Sequence, residues 1–154
     1  MNSTQPLGLR ADSELAADPA FTALLCKLET ESLERVVMRV SKEQQISVSE
    51  AILRKNQFLR FFALAEHSRS ALAPTLHIDT FWHEFILFTA DYMTFCDRHI
   101  GHYFHHQPFD DKTPAELVSA AIDVGPLLSR HFLSDTMQAE QAARRVCLPC
   151  ARSG

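Results

Sequence analysis

Apolar residues along this chain recur at intervals of three and four positions, the spacing that lines one face of an α-helix. This period runs from Phe21 to Val40 and predicts an amphipathic helix across that segment. A second helix is predicted from Ser47 to about His67, because Ser47 and Glu50 have the spacing of a capping box. The first half of the chain is therefore predicted to be helical.

A third helix is predicted from Ile78 to Ile100, with Gly101 as its C-terminal stop. Its apolar residues cover most of its circumference, which is typical of a helix buried inside a bundle. The following segment, residues 102–112, is predicted to be a loop. We therefore expect an all-α fold, a compact single-domain helical bundle around an aromatic-rich central helix at about 78–100.

The C-terminal third carries its own start and stop signals. Thr113-Pro114 is a cap followed by a proline at the first helical position, so another helix is expected there. Gly125-Pro126 is expected to interrupt that helix. A last helix is predicted from Leu127 to Val146.

These elements divide the chain into three parts. Residues 1–13 are polar, contain a proline and a glycine, and are predicted to form a flexible N-terminal arm. Residues 14–146 form the helical domain, and residues 147–154 a C-terminal tail. The tail contains Cys147 and Cys150, whose spacing suits a zinc half-site or a redox dithiol. Because the sequence has no second pair and these cysteines follow a helix C-terminus, a frayed tail is the default interpretation.

Composition agrees with one globular domain. The chain has 154 residues, of which 46% are hydrophobic and 22% charged. Its net charge is −4, whereas binding to nucleic acid requires a basic surface, so no nucleic-acid partner is expected. No segment reaches the roughly 18 consecutive apolar residues of a membrane span, so no membrane partner is expected either.

The cellular compartment is predicted from the N-terminal sequence. The N-terminus lacks the basic and then apolar order of a signal peptide, which favours a cytoplasmic location. In a reducing cytoplasm the four cysteines are better interpreted as thiols or ligands than as disulfides.

Histidines concentrate in one part of the chain. Six of the eight lie between positions 77 and 106, within its densest aromatic stretch. Projection of the third predicted helix at about 100° per residue places Asp79 and His83 one turn apart on one side. Cys96 and His99 fall on a different, broader face, where Cys96 is best interpreted as a small buried hydrophobe.

The leading functional hypothesis is a metal site. Asp79 and His83 would be ligands on one helical face, and His105 or His106, or both, would fold back from the loop to complete the site. Neutral imidazole and carboxylate suit Zn²⁺ or Fe²⁺. Two or three protein ligands would leave a coordination position for water, as a catalytic site needs.

Two alternatives stay open. In the first, the motif is a structural clasp of a non-catalytic interaction or accessory module with a protein partner. Asp79 then accepts a hydrogen bond from His83 or Trp82, and the two adjacent histidines pin the loop to the core. In the second, the protein is a small enzyme in which His83, oriented by Asp79, acts as a general base in a pocket beside it.

A longer pattern covers all these candidate residues, namely Asp79-x-x-Trp82-His83-x-x-Ile86-Leu87-x-Thr89-x-x-Tyr92-x-x-x-Cys96-x-x-x-x-Gly101-x-x-x-His105-His106-x-Pro108. With the aromatic helix before it, this pattern resembles the glycine-rich domain-containing protein-like family, over about residues 46–110. That family consists mostly of bacterial proteins of uncharacterised function, with larger plant relatives. The resemblance implies that Asp79, Trp82, His83, Cys96, His105 and His106 belong to a shared motif. The chain lacks the glycine-rich region of the larger members.

Overall fold

The protein was analysed as a computed structural model, which describes residues 5–68, 70–107 and 110–135. These residues form seven α-helices, which confirms the predicted all-α fold. The helices are α1 (Pro19–Glu29), α2 (Glu34–Gln44), α3 (Val48–His67), α4 (Leu76–Leu87), α5 (Thr89–Ile100), α6 (Ala115–Ala120) and α7 (Val124–His131). Two short strands, β1 (Leu72–Ala73) and β2 (Ile122–Asp123), pair in parallel. None of the described helices combines the length and apolar character that crossing a bilayer requires.

Helix α3 occupies the centre of the bundle. It begins where the sequence predicts, because the Ser47 hydroxyl accepts a hydrogen bond from the Glu50 amide at 3.0 Å. Its Phe58 is fully buried and packs against aromatic rings of both α4 and α5. Helices α1, α2, α4 and α7 all contact α3, so one hydrophobic cluster extends through the molecule.

The predicted helix from Phe21 to Val40 is two helices in the structure. Helix α1 ends at Glu29 and α2 begins at Glu34, with Leu33 in the left-handed conformation at a φ of 45°. Both helices pack on α3, so each buries an apolar face against the same neighbour. Periodicity reports which side is buried and does not detect a turn between two segments that bury the same side.

The predicted helix from Ile78 to Ile100 is also two helices, separated at Phe88, whose φ of −86° and ψ of 68° are not helical. The break allows the Phe85 and Tyr92 rings to meet edge to face at 5.0 Å. In a straight helix, residues seven apart are separated by about 10.5 Å along the axis. The prediction was wrong because aromatic contacts across the break, which no local signal encodes, stabilise a non-helical Phe88.

The start of the chain is packed rather than loose over its described part. Leu7 and Leu9 are buried, and Leu9 forms a β-bridge with Phe132 after α7. The Arg60 guanidinium of α3 donates to the Leu7 carbonyl at 2.9 Å. The expectation of a flexible arm therefore fails for residues 5–13, because two apolar side chains and a buried hydrogen bond hold the segment to the core.

The C-terminal helices have other bounds than the sequence predicts. Helix α6 begins at Ala115 with Pro114 as its N-cap, one residue later than expected, and the interruption falls at β2, before Gly125-Pro126. Asp123 caps α7 through the Gly125 amide, so Pro126 lies in the first turn, where a proline costs no hydrogen bond. Helix α7 ends at His131, well before Val146. Residues 136–146 of the predicted last helix, Cys147 and Cys150, and Pro108 of the motif lie outside the described residues.

Candidate metal centre

Helix α4 supplies two of the candidate ligands. The Thr75 hydroxyl accepts a hydrogen bond from the Ile78 amide, so the helix starts at Leu76 and Asp79 lies in its first turn. His83 follows one turn later on the same face. Its side chain is exposed, whereas Asp79 is partly buried, which places the pair at the edge of the bundle.

The chain after α5 turns back towards this face. Gly101 ends α5 at a φ of 75°, and its amide donates to the Cys96 and Asp97 carbonyls, as predicted for a C-terminal stop. The Phe104 ring then stacks on Trp82 of α4, with ring centres 4.8 Å apart and planes at 11°. This stacking brings the segment beyond Phe104 alongside α4.

A buried polar relay fixes the returning segment. The Trp82 indole donates to the Tyr92 hydroxyl at 2.9 Å, and that hydroxyl donates to the Phe104 carbonyl. Tyr92 is fully buried, and burial raises the pKa of its phenol far above the ordinary value. The phenol therefore remains a neutral donor and acceptor, which is the state that both hydrogen bonds require.

His106 arrives beside Asp79 and His83 as a result. Its Nε2 lies 2.7 Å from Asp79 Oδ1, and its ring centre lies 4.7 Å from that of His83. One potential ligand atom from each of the three residues falls within 4.8 Å of the others. The His106 side chain is only 10% exposed and packs edge-on against Trp82.

The chemistry of this set is that of a divalent metal site with two imidazoles and one carboxylate. Ligand atoms around a tetrahedral ion at about 2.1 Å are separated by roughly 3.4 Å. The 2.7 Å Asp79–His106 contact lies below that separation, and the 4.8 Å limit of the group lies above it. Coordination through His106 Nε2 would replace the proton that this nitrogen now shares with Asp79.

His105 takes a different position from His106. Its side chain is exposed, and its ring packs against Tyr103 at 4.7 Å between centres. Within the described part of the chain it is not a member of the metal-compatible group. Of the four candidate ligands predicted from the sequence, the structure brings Asp79, His83 and His106 together.

The remaining residues of the histidine-rich segment have other contacts. Cys96 is buried, as predicted, and burial raises the pKa of its thiol. His99 is 2% exposed and its Nε2 lies 2.8 Å from the Glu31 carboxylate, while His102 is exposed and pairs with Glu66. The hydrogen bond to the Glu66 carboxylate on α3 raises the pKa of His102. His77 is exposed at the start of α4.

A cavity of about 540 Å³ adjoins the site. Asp79 and His106 form part of its wall, whereas His83 is not among its described lining residues. Much of the remaining wall is apolar, from Phe61, Trp82 and Phe104. The cavity therefore meets the candidate site at two of its three members.

The sequence interpretation overlooked two features of this site. In the clasp alternative Asp79 pairs with His83 or Trp82, but in the structure Asp79 accepts its hydrogen bond from His106, and the Trp82 indole donates to Tyr92. The sequence interpretation also assigned no role to Phe104. The sequence does place Phe104 two residues before His106. Stacking of Phe104 on Trp82 therefore positions the histidine.

Comparison with known proteins corrects the family suggested by the motif. A family model described as UCP032817-like matches residues 24–120, which is more than half of the chain. The resemblance to the glycine-rich domain-containing protein-like family is therefore wrong. It rested on the segment around α3 to α5, whereas the match extends from α1 to α6. Neither a curated protein nor a solved structure matches the chain. The chain belongs to the UCP032817-like family.

Proposed function

We propose that this protein binds one divalent metal ion, Zn²⁺ or Fe²⁺, through Asp79, His83 and His106. The observation that carries the proposal is the convergence of their ligand atoms within 4.8 Å, across 27 residues of chain between Asp79 and His106. Two histidines and one carboxylate with further positions left to water are a donor set used by both ions.

The surroundings support the same proposal. His106 is held against Trp82 before any ion arrives, which lowers the entropy lost on coordination. The exposed His83 leaves an approach from solvent. The site thus combines a positioned His106 with an exposed His83.

Metal binding is tested by elemental analysis and by titration of the purified, metal-stripped protein with Zn²⁺ and Fe²⁺. We expect one ion per chain and a rise in melting temperature. At a free metal concentration 100 times the dissociation constant, the free energy of unfolding should rise by about 2.7 kcal/mol. His83→Ala should weaken binding by more than about 100-fold, since it removes a ligand rather than an outer partner.

His105→Ala is the matched control, because it removes an exposed imidazole one position from His106. It should bind metal as the wild type does. Absence of stoichiometric metal, together with unchanged melting temperature in both titrations, would refute the proposal.

A structural clasp is the second candidate, favoured by the direct Asp79–His106 hydrogen bond and the packing of His106 on Trp82. In that case the protein is an interaction module with a protein partner and the motif holds the loop to α4. Stability lost in His83→Ala would then be equal with and without a chelator. If the site binds metal, the wild type and His83→Ala should differ in stability only when they are loaded with metal.

A further inference from the structure

The cavity beside the candidate metal centre has an unusual distribution of charge. Its described lining residues include neither lysine nor arginine, and Asp79 is their one acidic group. Without a metal, the Asp79 carboxylate repels an anion placed beside it. A divalent ion at Asp79 and two neutral imidazoles would reverse this, leaving a local charge of about +1.

The shape of the cavity adds a second constraint. Its volume of about 540 Å³ falls within the usual range for small-molecule sites, roughly 300–1,000 Å³. Phe61, Trp82 and Phe104 line one side of the cavity. Leu72 and Pro74, in the segment between α3 and α4, line it as well. The cavity thus offers apolar contacts next to the polar Asp79 and His106.

We propose that this cavity binds a small carboxylic acid with an apolar body, its carboxylate coordinated to the metal and its body against the aromatic side. The inference rests on the proposed function, because the metal supplies the positive charge. Asp79 and His106 belong both to the metal-compatible group and to the cavity wall, so an ion held by them lies at the cavity edge. A carboxylate is the ligand that satisfies both an ion of net positive site charge and a neighbouring apolar wall.

The probe pair is 4-phenylbutyrate and its neutral analogue 4-phenyl-1-butanol, titrated calorimetrically into zinc-loaded and metal-stripped protein. We expect the acid to bind the zinc-loaded protein at least about tenfold more tightly than the alcohol. Removal of zinc should weaken binding of the acid by a similar factor and leave the alcohol nearly unchanged.

The cavity itself is tested with Ala65→Phe, which adds a ring to the cavity wall on α3 and replaces none of the candidate ligands. It should retain zinc and lose the acid. Ala90→Phe, the same change at an exposed position of α5 outside the described lining, is the matched control and should retain both. Melting curves establish that each variant is folded, and Ala71→Trp, at another lining position, replaces Ala65→Phe if that variant unfolds.

Two failures are distinguishable. Stoichiometric zinc with equal binding of acid and alcohol, or with binding that Ala65→Phe leaves intact, would overturn the carboxylate site and leave the metal site standing. Absence of zinc binding would overturn both.

Discussion

At the scale of single residues, the site depends on Tyr92 as much as on any ligand. Its hydroxyl joins the Trp82 indole on α4 to the Phe104 carbonyl in the returning loop. A buried hydroxyl that accepts one hydrogen bond and donates another cannot be removed without leaving both partners unsatisfied. Tyr92 therefore positions the segment that delivers His106.

Tyr92→Phe should lower the free energy of unfolding by about 2 kcal/mol at neutral pH, because the buried Trp82 N–H loses its acceptor. Burial raises the pKa of Tyr92 above its ordinary 10.0, so the wild type keeps this stabilisation below pH 10.0 and loses it as the pH rises further. Urea denaturation followed by fluorescence of Trp82, the one tryptophan, measures both effects.

Tyr103→Phe is the control for that experiment, since Tyr103 is the other tyrosine and is 39% exposed. Its free energy of unfolding should match that of the wild type both at neutral pH and above pH 10.0. An equal loss in the two variants, or an alkaline fall that persists unchanged in Tyr92→Phe, would contradict the assigned role.

At the scale of elements, helix ends follow local signals, while interior breaks follow packing. Ser47 and Gly101 fix an end of α3 and of α5 through hydrogen bonds that the sequence predicts. The break at Phe88 has no glycine or proline to mark it. It persists because Phe85 and Tyr92 bury their rings against each other and against the cluster on α3.

Left-handed residues at helix ends give a paired prediction. Gln45 ends α2 at a φ of 54° and is exposed, so Gln45→Gly should raise the free energy of unfolding by about 1 kcal/mol. Gly101→Ala should lower it by about the same amount, since nothing lies within 4 Å of an added Cβ and only the φ of 75° is strained. Thermal melts of the two variants test the sign, and equal signs would refute the backbone explanation.

At the scale of the whole molecule, the two ends of the described chain close on one another. Leu9 pairs with Phe132, the Arg10 amide donates to the His131 carbonyl, and the Ser13 hydroxyl lies 2.8 Å from the His131 imidazole. Arg60 on α3 joins both ends, because it also pairs with Asp135. The N-terminal segment is thus part of the hydrophobic core.

Leu9→Ala should lower the free energy of unfolding by about 2–5 kcal/mol, the usual cost of truncating a buried leucine. Leu76→Ala, at a leucine that is 76% exposed, should change it by less than about 0.5 kcal/mol. Chemical denaturation of both proteins compares the two. A negligible effect at Leu9 would restore the flexible arm expected from the sequence.

The sequence by itself determined the all-α class, the cap and extent of α3, the stop at Gly101 and the partition of Cys96 into the core. Each of these depends on contacts within a few residues or on the side of a helix that is apolar. The tertiary structure decided the breaks near Leu33 and Phe88, the docking of Leu7 and Leu9, and the choice of His106 over His105 beside Asp79. Those outcomes depend on contacts between residues distant in the chain, whose free energy exceeds the weak local preferences that a single sequence exposes.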